Sequence, residues 1–314
     1  DGVKQTKQEE HTVVTRTVEE RMLRRPGLGE KEKEDGQLKP FGSDLFAEDA
    51  GAFEPPPDAA VPADYALGPG DELELSYWSE FLPQETHQLT VDPQGQVNLP
   101  TGGTLSVRGL TLEQLKGLAQ EQLLLMYKQV KVHVALTKLH AIRVWVVGEA
   151  KRPGSRLISP LSTAFNALYA AGGPNERGSM RRIRLMRGND EVAVLDLYKY
   201  LLTGEATDDL PLQSGDRLFL PVVGPLVAVQ GEVRRPALYE LKGDERLRDL
   251  LEWAGGLKPT GYAQRIQITR LEANARQVVR DVDASALLAS PTAETNLPVQ
   301  AGDVIRVLRV VEDN

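Results

Sequence analysis

The chain of 314 residues contains no cysteine, four histidines and only 5% aromatic side chains. Without cysteine there can be no disulfide, no thiolate metal site and no lipid-bearing N-terminal cysteine within it, a usage compatible with an oxidising compartment. His11, His87, His133 and His140 are scattered. His133 and His140 show no metal-ligand spacing with a nearby carboxylate and read as solvated strand residues. No apolar run approaches the roughly 20 residues needed to cross a bilayer as a helix, and no signal-peptide pattern opens the chain. Beginning at Asp1, it reads as a mature or trimmed protein. No glycine loop ends in Lys followed by Ser or Thr, and the Gly68-Pro69-Gly70 turn lacks the rest of a dinucleotide fingerprint, so no cofactor is expected. A basic surplus is missing too. The net charge is -8, and residues 1–64 hold nine Lys or Arg against fifteen Asp or Glu, which leaves the other 250 residues near neutrality. That balance argues against a nucleic-acid binder.

What is present is repetition. Gly148-Glu149-Ala150-Lys151-Arg152-Pro153 returns 83 residues later as Gly231-Glu232-Val233-Arg234-Arg235-Pro236. Ala171-Gly172-Gly173 becomes Ala254-Gly255-Gly256, and Arg182-Ile183 becomes Arg265-Ile266, at the same offset. Leu210 to Asp216 recurs as Leu297 to Asp303 at offset 87, so the second copy carries about four extra residues. Length alone allows about two domains; the repeat argues for three.

Each copy follows one plan. An alternating strand, with Ile142, Val144 and Val146 or with Val227 and Val229, turns at Gly-Glu and returns after proline. A helix follows, with Ser159-Pro160 as expected cap and first helical position in copy one and Asp244 as expected cap in copy two. Apolar positions are Phe165 and Leu168, or Leu247, Leu250 and Leu251, and a Gly-Gly pair stops each helix with one residue left-handed. Two strands, a Gly-Asp turn and a closing strand complete the unit. A hairpin, one helix and further strands make a small α+β unit, and β-grasp is the natural guess.

Residues 1–64 are expected to form an extended, mostly mobile acidic arm. Within it Thr12–Val18 is β-branched enough to add a strand to a neighbour, and Phe41, Leu45, Phe46 and Phe53 are placed to staple the arm to a folded surface. From Tyr65 the character changes. Leu67-Gly68-Pro69-Gly70-Asp71 is a tight turn into a strand from Glu72, and Val91 to Val97 reads as a hairpin. Thr111 and Gln114 have capping-box spacing before a helix whose expected buried side is Leu112, Leu115, Leu118 and Met126. A strand with Val130, Val132, Val134 and Leu136 on one face closes the unit. The expected domains are thus 65–140, 141–223 and 224–311.

Tyr65–Asp71 (YALGPGD), Val91–Pro100 (VDPQGQVNLP), Arg108–Thr111 (RGLT) and the two Gly-Glu-x-x-Arg-Pro units together resemble the polysaccharide export family of bacterial outer membranes. The first unit is similar to its export domain and the other two to its soluble-ligand-binding β-grasp repeats. Phe41–Phe46 (FGSDLF) resembles the lead-in of the capsule-export, multi-repeat branch. The resemblance implies a ring-shaped homo-oligomer of the periplasm and outer membrane that conducts polysaccharide outward above an inner-membrane polysaccharide copolymerase, without catalysis. The chain departs from the family in lacking the lipid-bearing cysteine and the C-terminal amphipathic helix, ending at Val311-Glu312-Asp313-Asn314. The membrane-spanning part is therefore absent, supplied by another protein, or trimmed. A soluble small-ligand or glycan-binding module is the alternative reading, and a glycan-modifying enzyme has almost no support in the residues.

No catalytic or metal-binding set emerges. Glu149 and Glu232 sit on equivalent turns of separate units, which suits turn chemistry and not a glycosidase pair. Gly148, Glu149, Arg152, Pro153, Gly231, Glu232, Arg235, Pro236, Gly70 and Asp71 are read as structural turn residues. Arg181, Arg182, Arg184 and Arg187 cluster in seven residues. In a strand, Arg182 and Arg184 would share one side, with Arg265 and Arg270 repeating part of the row. These arginines face solvent, the next subunit or a polysaccharide that would then be acidic, with Arg182, Arg184 and Arg265 the candidates. Tyr77, Trp78, Trp145 and Trp253 are the residues able to stack on sugars, Trp253 fitting a core or interface better.

Overall fold

The computed structural model describes residues 38–46, 61–272, 276–285, 287 and 295–310, so the candidate strand Thr12–Val18 and the staple residue Phe53 lie outside the described residues. The fold is α+β, with sheet-plus-helix units in tandem. The described residues divide into two compact units, one built on those between 44 and 222 and the other on those from 223 onward together with residues 38–43. No helix among the described residues is long and apolar enough to cross a membrane.

The export-domain region pairs β1 (Glu72–Ser79), β2 (Leu82–Thr90) and β5 (Lys131–Lys138) in the order β2-β1-β5. Leu73, Leu75 and Tyr77 alternate inward along β1, as a strand's period of two requires. The turn at 91–97 does not join two paired strands. The short strand after it, β3 (Gln96–Asn98), pairs with β4 (Thr104–Ser106), because Asp92 Oδ1 takes the Gln96 amide and swings the chain away from β2. Helix α1 (Leu112–Leu124) begins with the expected capping box, Thr111 and Gln114 exchanging side-chain-to-backbone bonds of 3.3 and 2.9 Å. Its buried side is Leu115, Ala119 and Leu123, spaced at i, i+4 and i+8, while Leu118 and Met126 are exposed. The helix stops at Leu124, which leaves Met126 outside the helical register.

The first repeat contains β6 (Ile142–Gly148), β7 (Gly154–Ile158), α2 (Ala164–Ala170), β8 (Ile183–Arg187), β9 (Asp190–Leu195), α3 (Leu197–Thr203) and β10 (Arg217–Leu220). The second contains β11 (Leu226–Gly231), β12 (Ala237–Glu240), α4 (Leu247–Trp253), β13 (Gly261–Glu272), β14 (Arg276–Val282) and β15 (Val304–Arg309). The sheets run β7-β6-β10-β8-β9 and β12-β11-β15-β13-β14, with the opening and closing strands parallel at the centre and an antiparallel hairpin on each side. Val144, Val146, Leu218, Leu220, Ile183 and Leu185 form the inner face of the first sheet, each at most 1% exposed, beneath Ala164, Ala167 and Leu168 of α2. Each of these buried aliphatic side chains favours the folded repeat by about 1.5–3 kcal/mol.

Four local expectations change. Helix α2 starts after Thr163, whose amide donates to Asn166 Oδ1 at 2.7 Å, because Ser159-Pro160 forms a separate turn closed by Ser162 N–H on the Ser159 carbonyl. Helix α4 starts after Arg246, not Asp244, because the Glu245 carboxylate is committed to the amides of Lys242 and Gly243 and ties off the loop there. Both glycines of each pair are left-handed, with φ of 77° and 73° at Gly172 and Gly173 and of 79° and 78° at Gly255 and Gly256. Two successive left-handed residues let Gly172 and Gly173 donate back to Tyr169 and Leu168 and close the helix. Finally, the first repeat has a second helix, α3, capped by Asp196 and ended by left-handed Gly204, and half-buried Phe165 meets Tyr200 of that helix edge to face.

Candidate functional site

The repeated phrases recur at fixed spacing because, within each repeat, they bond to one another. At the Gly-Glu-x-x-Arg-Pro turn, Lys151 and Arg152 donate backbone N–H to the carbonyls of Gly173 and Ala171, and Arg234 and Arg235 donate to those of Gly256 and Ala254. The hairpin turn is thereby stitched to the helix end, and Arg152 Nη2 adds a bond to the Ala170 carbonyl at 3.3 Å. Gly148 and Gly231 lie where the opening strand meets the closing one, with φ of 87° and 88°, and a Cβ on either would run into the carbonyl oxygen of Leu220 or Val307. Glu149 accepts from Asn175 at 2.8 Å and Glu232 from Thr260 at 2.6 Å, so each carboxylate is engaged within its own repeat, by the loop after the Gly-Gly pair.

The Gly-Asp turns hold buried carboxylates. Asp216 receives Arg187 Nε at 3.0 Å and Nη2 at 2.8 Å, and also the Gln213 amide. Asp303 receives Arg270 Nε at 2.8 Å and Nη2 at 2.7 Å, and the Gln300 amide. Each arginine also reaches a proline carbonyl, Pro211 or Pro298, so one fork pins a whole landmark. In the export-domain region the same turn places Asp71, fully buried, against His140 Nδ1 at 2.8 Å, the His140 and Gly68 amides at 2.7 and 2.8 Å, and the Tyr65 hydroxyl. Burial pushes the Asp71 pKa upward, but the His140 side chain and the two amides outweigh it and hold the carboxyl below its ordinary value. Burial and the Asp71 charge raise that of Tyr65. Toward the other end of β1, Tyr77 donates to Glu85 at 2.8 Å and stacks with His87 and with Tyr127; burial and that hydrogen bond push it up to about 12.

The clustered arginines are dispersed by the fold. Arg181 is buried against Asp196 at 3.4 Å and lies over the Tyr198 ring, while Arg187 is spent on Asp216. Arg182 is half-buried just ahead of β8. Arg184 lies on the outer sheet face, 4.6 Å over Phe219 and 3.9 Å from Glu191. In the second repeat the exposed Arg265 pairs with Asp281 at 2.9 Å. Trp78 and Trp253 are half-buried, Trp253 against Tyr239, whereas Trp145 projects from the outer face. Reading the arginine cluster alone misses Arg143, Arg217 and Phe219 on that face. Their signal was the alternation Arg143-Val144-Trp145-Val146 and Arg217-Leu218-Phe219-Leu220.

Two staples hold the segment before the export-domain region. Phe41 stacks on Tyr239 at 5.1 Å, with Pro40 bridged to Leu238. Phe46 packs on Tyr169 at 4.9 Å and over Gly173.

A sheet-plus-helix domain followed by two copies of a β-grasp-like domain defines a tandem α+β protein. Residues 59–137 match the family described as polysaccharide biosynthesis/export protein, and residues 143–196 and 226–281 match the SLBB domain. The chain belongs to the bacterial polysaccharide export family, with an export domain followed by two SLBB domains. It is 31% identical over 242 residues to the polysialic acid transport protein KpsD of Escherichia coli, across 73% of this chain and 40% of that protein. It is 27% identical over 280 residues to the EPS I polysaccharide export outer membrane protein EpsA of Ralstonia solanacearum, across 79% of this chain and 74% of that one. The chain thus spans well under half the length of KpsD.

Proposed function

We propose that the chain is a non-catalytic component of a periplasmic and outer-membrane translocon that carries capsular or extracellular polysaccharide outward. The ordered match of an export domain and two SLBB repeats carries this reading, and the names of the two relatives support it. The working form is a closed homo-oligomeric ring above an inner-membrane polysaccharide copolymerase, with function residing in shape and closure. Turn residues engaged within their own repeats suit a rigid building block. Arg182, Arg184 and Arg265 are proposed to meet glycan or the neighbouring subunit in addition to their local partners. Native mass spectrometry of the full-length protein in mild detergent tests the ring; a strictly monomeric result sinks it. Surface polysaccharide in a deletion strain complemented with the wild-type gene tests export.

A further inference from the structure

We infer that the outer face of the first repeat's sheet is a docking platform for an acidic saccharide segment of the exported polymer, an inference that rests on the export reading. Strand pairing assembles it: Trp145 on β6 stands opposite Arg217 on β10, and Phe219 stands opposite Arg184 on β8, with Arg143 two residues before Trp145 on the same side. The alternate residues of these strands form the buried inner face, so these side chains point outward. Trp145 is 37% exposed and Leu157, at the neighbouring edge strand, 65%.

The chemistry is basic and aromatic together. Arg143 has no side-chain hydrogen bond or ion pair among the described residues. Among the described residues Arg217 is held only by the Gly188 carbonyl, which leaves its charge unneutralised there and most of its donors open. Among the described residues Arg184 makes one ion pair, with Glu191 at the long distance of 3.9 Å. A flat indole flanked by guanidinium forks suits a polymer whose sugar rings present apolar C–H faces and whose carboxylates take bidentate hydrogen bonds. A neutral glycan would leave the charges unused, and an acidic peptide would leave the indole unused.

The second repeat shows that the platform is not a by-product of the fold. There the corresponding positions are Leu226 for Arg143, Ala228 for Trp145 and Val304 for Arg217, and Leu38 packs with them against buried Ala228 and Leu238. One copy of the sheet covers this face with its own chain, while the other keeps it exposed, charged and aromatic.

The test measures binding of oligosialic acid, dextran and polyglutamate to the full-length protein by calorimetry, for wild type, Trp145→Ala and Arg143→Glu with Arg217→Glu. All three positions are exposed or partly exposed, and circular dichroism together with urea unfolding checks that each variant is folded; Trp145→Phe and the pair Arg143→Gln with Arg217→Gln serve as milder versions. The inference expects oligosialic acid to bind, dextran not to bind, and both variants to weaken the acidic saccharide about tenfold or more. Rising salt should weaken it too, as the screening length falls from about 10 Å at 0.1 M to about 3 Å at 1 M. Polyglutamate should bind more weakly and ignore Trp145→Ala. No binding, equal binding of dextran or polyglutamate, or oligosialic acid binding indifferent to Trp145→Ala overturns the inference. Wild-type restoration of surface polysaccharide together with absent binding would remove the platform and leave the export reading standing. Failure of the wild-type gene to restore export removes the export reading itself.

Discussion

Arg187 grips Asp216 with two parallel hydrogen bonds, and 83 residues further on Arg270 grips Asp303 in the same way. Each pair joins a strand of the second hairpin to the turn that launches the closing strand, so a charge that looked like surface display is a fastening. The carboxylates are 1% and 0% exposed, and removing the arginine would strand an anion in the interior.

Arg270→Ala is therefore expected to cost about 3 kcal/mol, and Arg187→Ala about 2, since the Arg187 side chain is 33% exposed against 20% for Arg270 and water screens it more. Lysine cannot replace the fork at either site and should recover less than half of the loss. Urea unfolding of each variant measures both values; equality of Arg187→Lys with wild type would contradict the bidentate role.

The export-domain region fastens its turn with His140 in place of an arginine. Because the folded Asp71 pKa lies below its ordinary 3.8, the stability it contributes is complete above about pH 4 and is lost as pH falls through the lower folded value. Asp71→Asn should be less stable than wild type at pH 7, and the gap should narrow at about pH 3. A gap independent of pH would show that the charge of Asp71 is not what the pocket holds.

Gly148 and Gly102 both have positive φ, 87° and 92°, but only Gly148 faces a neighbouring carbonyl, that of Leu220. Alanine at either position meets the same backbone strain, so the difference between the two variants isolates the steric conflict. Gly148→Ala should be about 2 kcal/mol less stable than Gly102→Ala in denaturant unfolding.

Phe46 covers Gly173 so closely that an added methyl there would enter the ring. Phe46→Ala should cost about 3 kcal/mol, and the double variant with Gly173→Ala should cost less than the sum, because the smaller residue removes the collision and leaves only the strain of φ 73°. Additive losses in a double-mutant cycle would show that the two do not touch.

What the sequence by itself determined is the repeat, the strand alternation, the capping box at Thr111, the glycine stops and the family. Each of these is a local or periodic property, carried by backbone preferences that act over a few residues. Tertiary structure decided which end of each pattern counted. Asp244 and Pro160 have the right chemistry to start helices, but the Ser159-Pro160 turn and the Glu245 carboxylate tie off the chain ahead of each helix, and the first helical amides go to chain distant in sequence: Ala164 donates to Leu210, and Leu247 to Leu297. The arginine cluster is one run in sequence, yet Arg181 and Arg187 found buried carboxylates while Arg184 joined Arg143, Trp145 and Arg217 from other strands. A charge's partner depends on which strands the sheet order β7-β6-β10-β8-β9 sets side by side. Such long-range pairing is settled by burying the whole apolar inner face at once, and no window along the chain contains it.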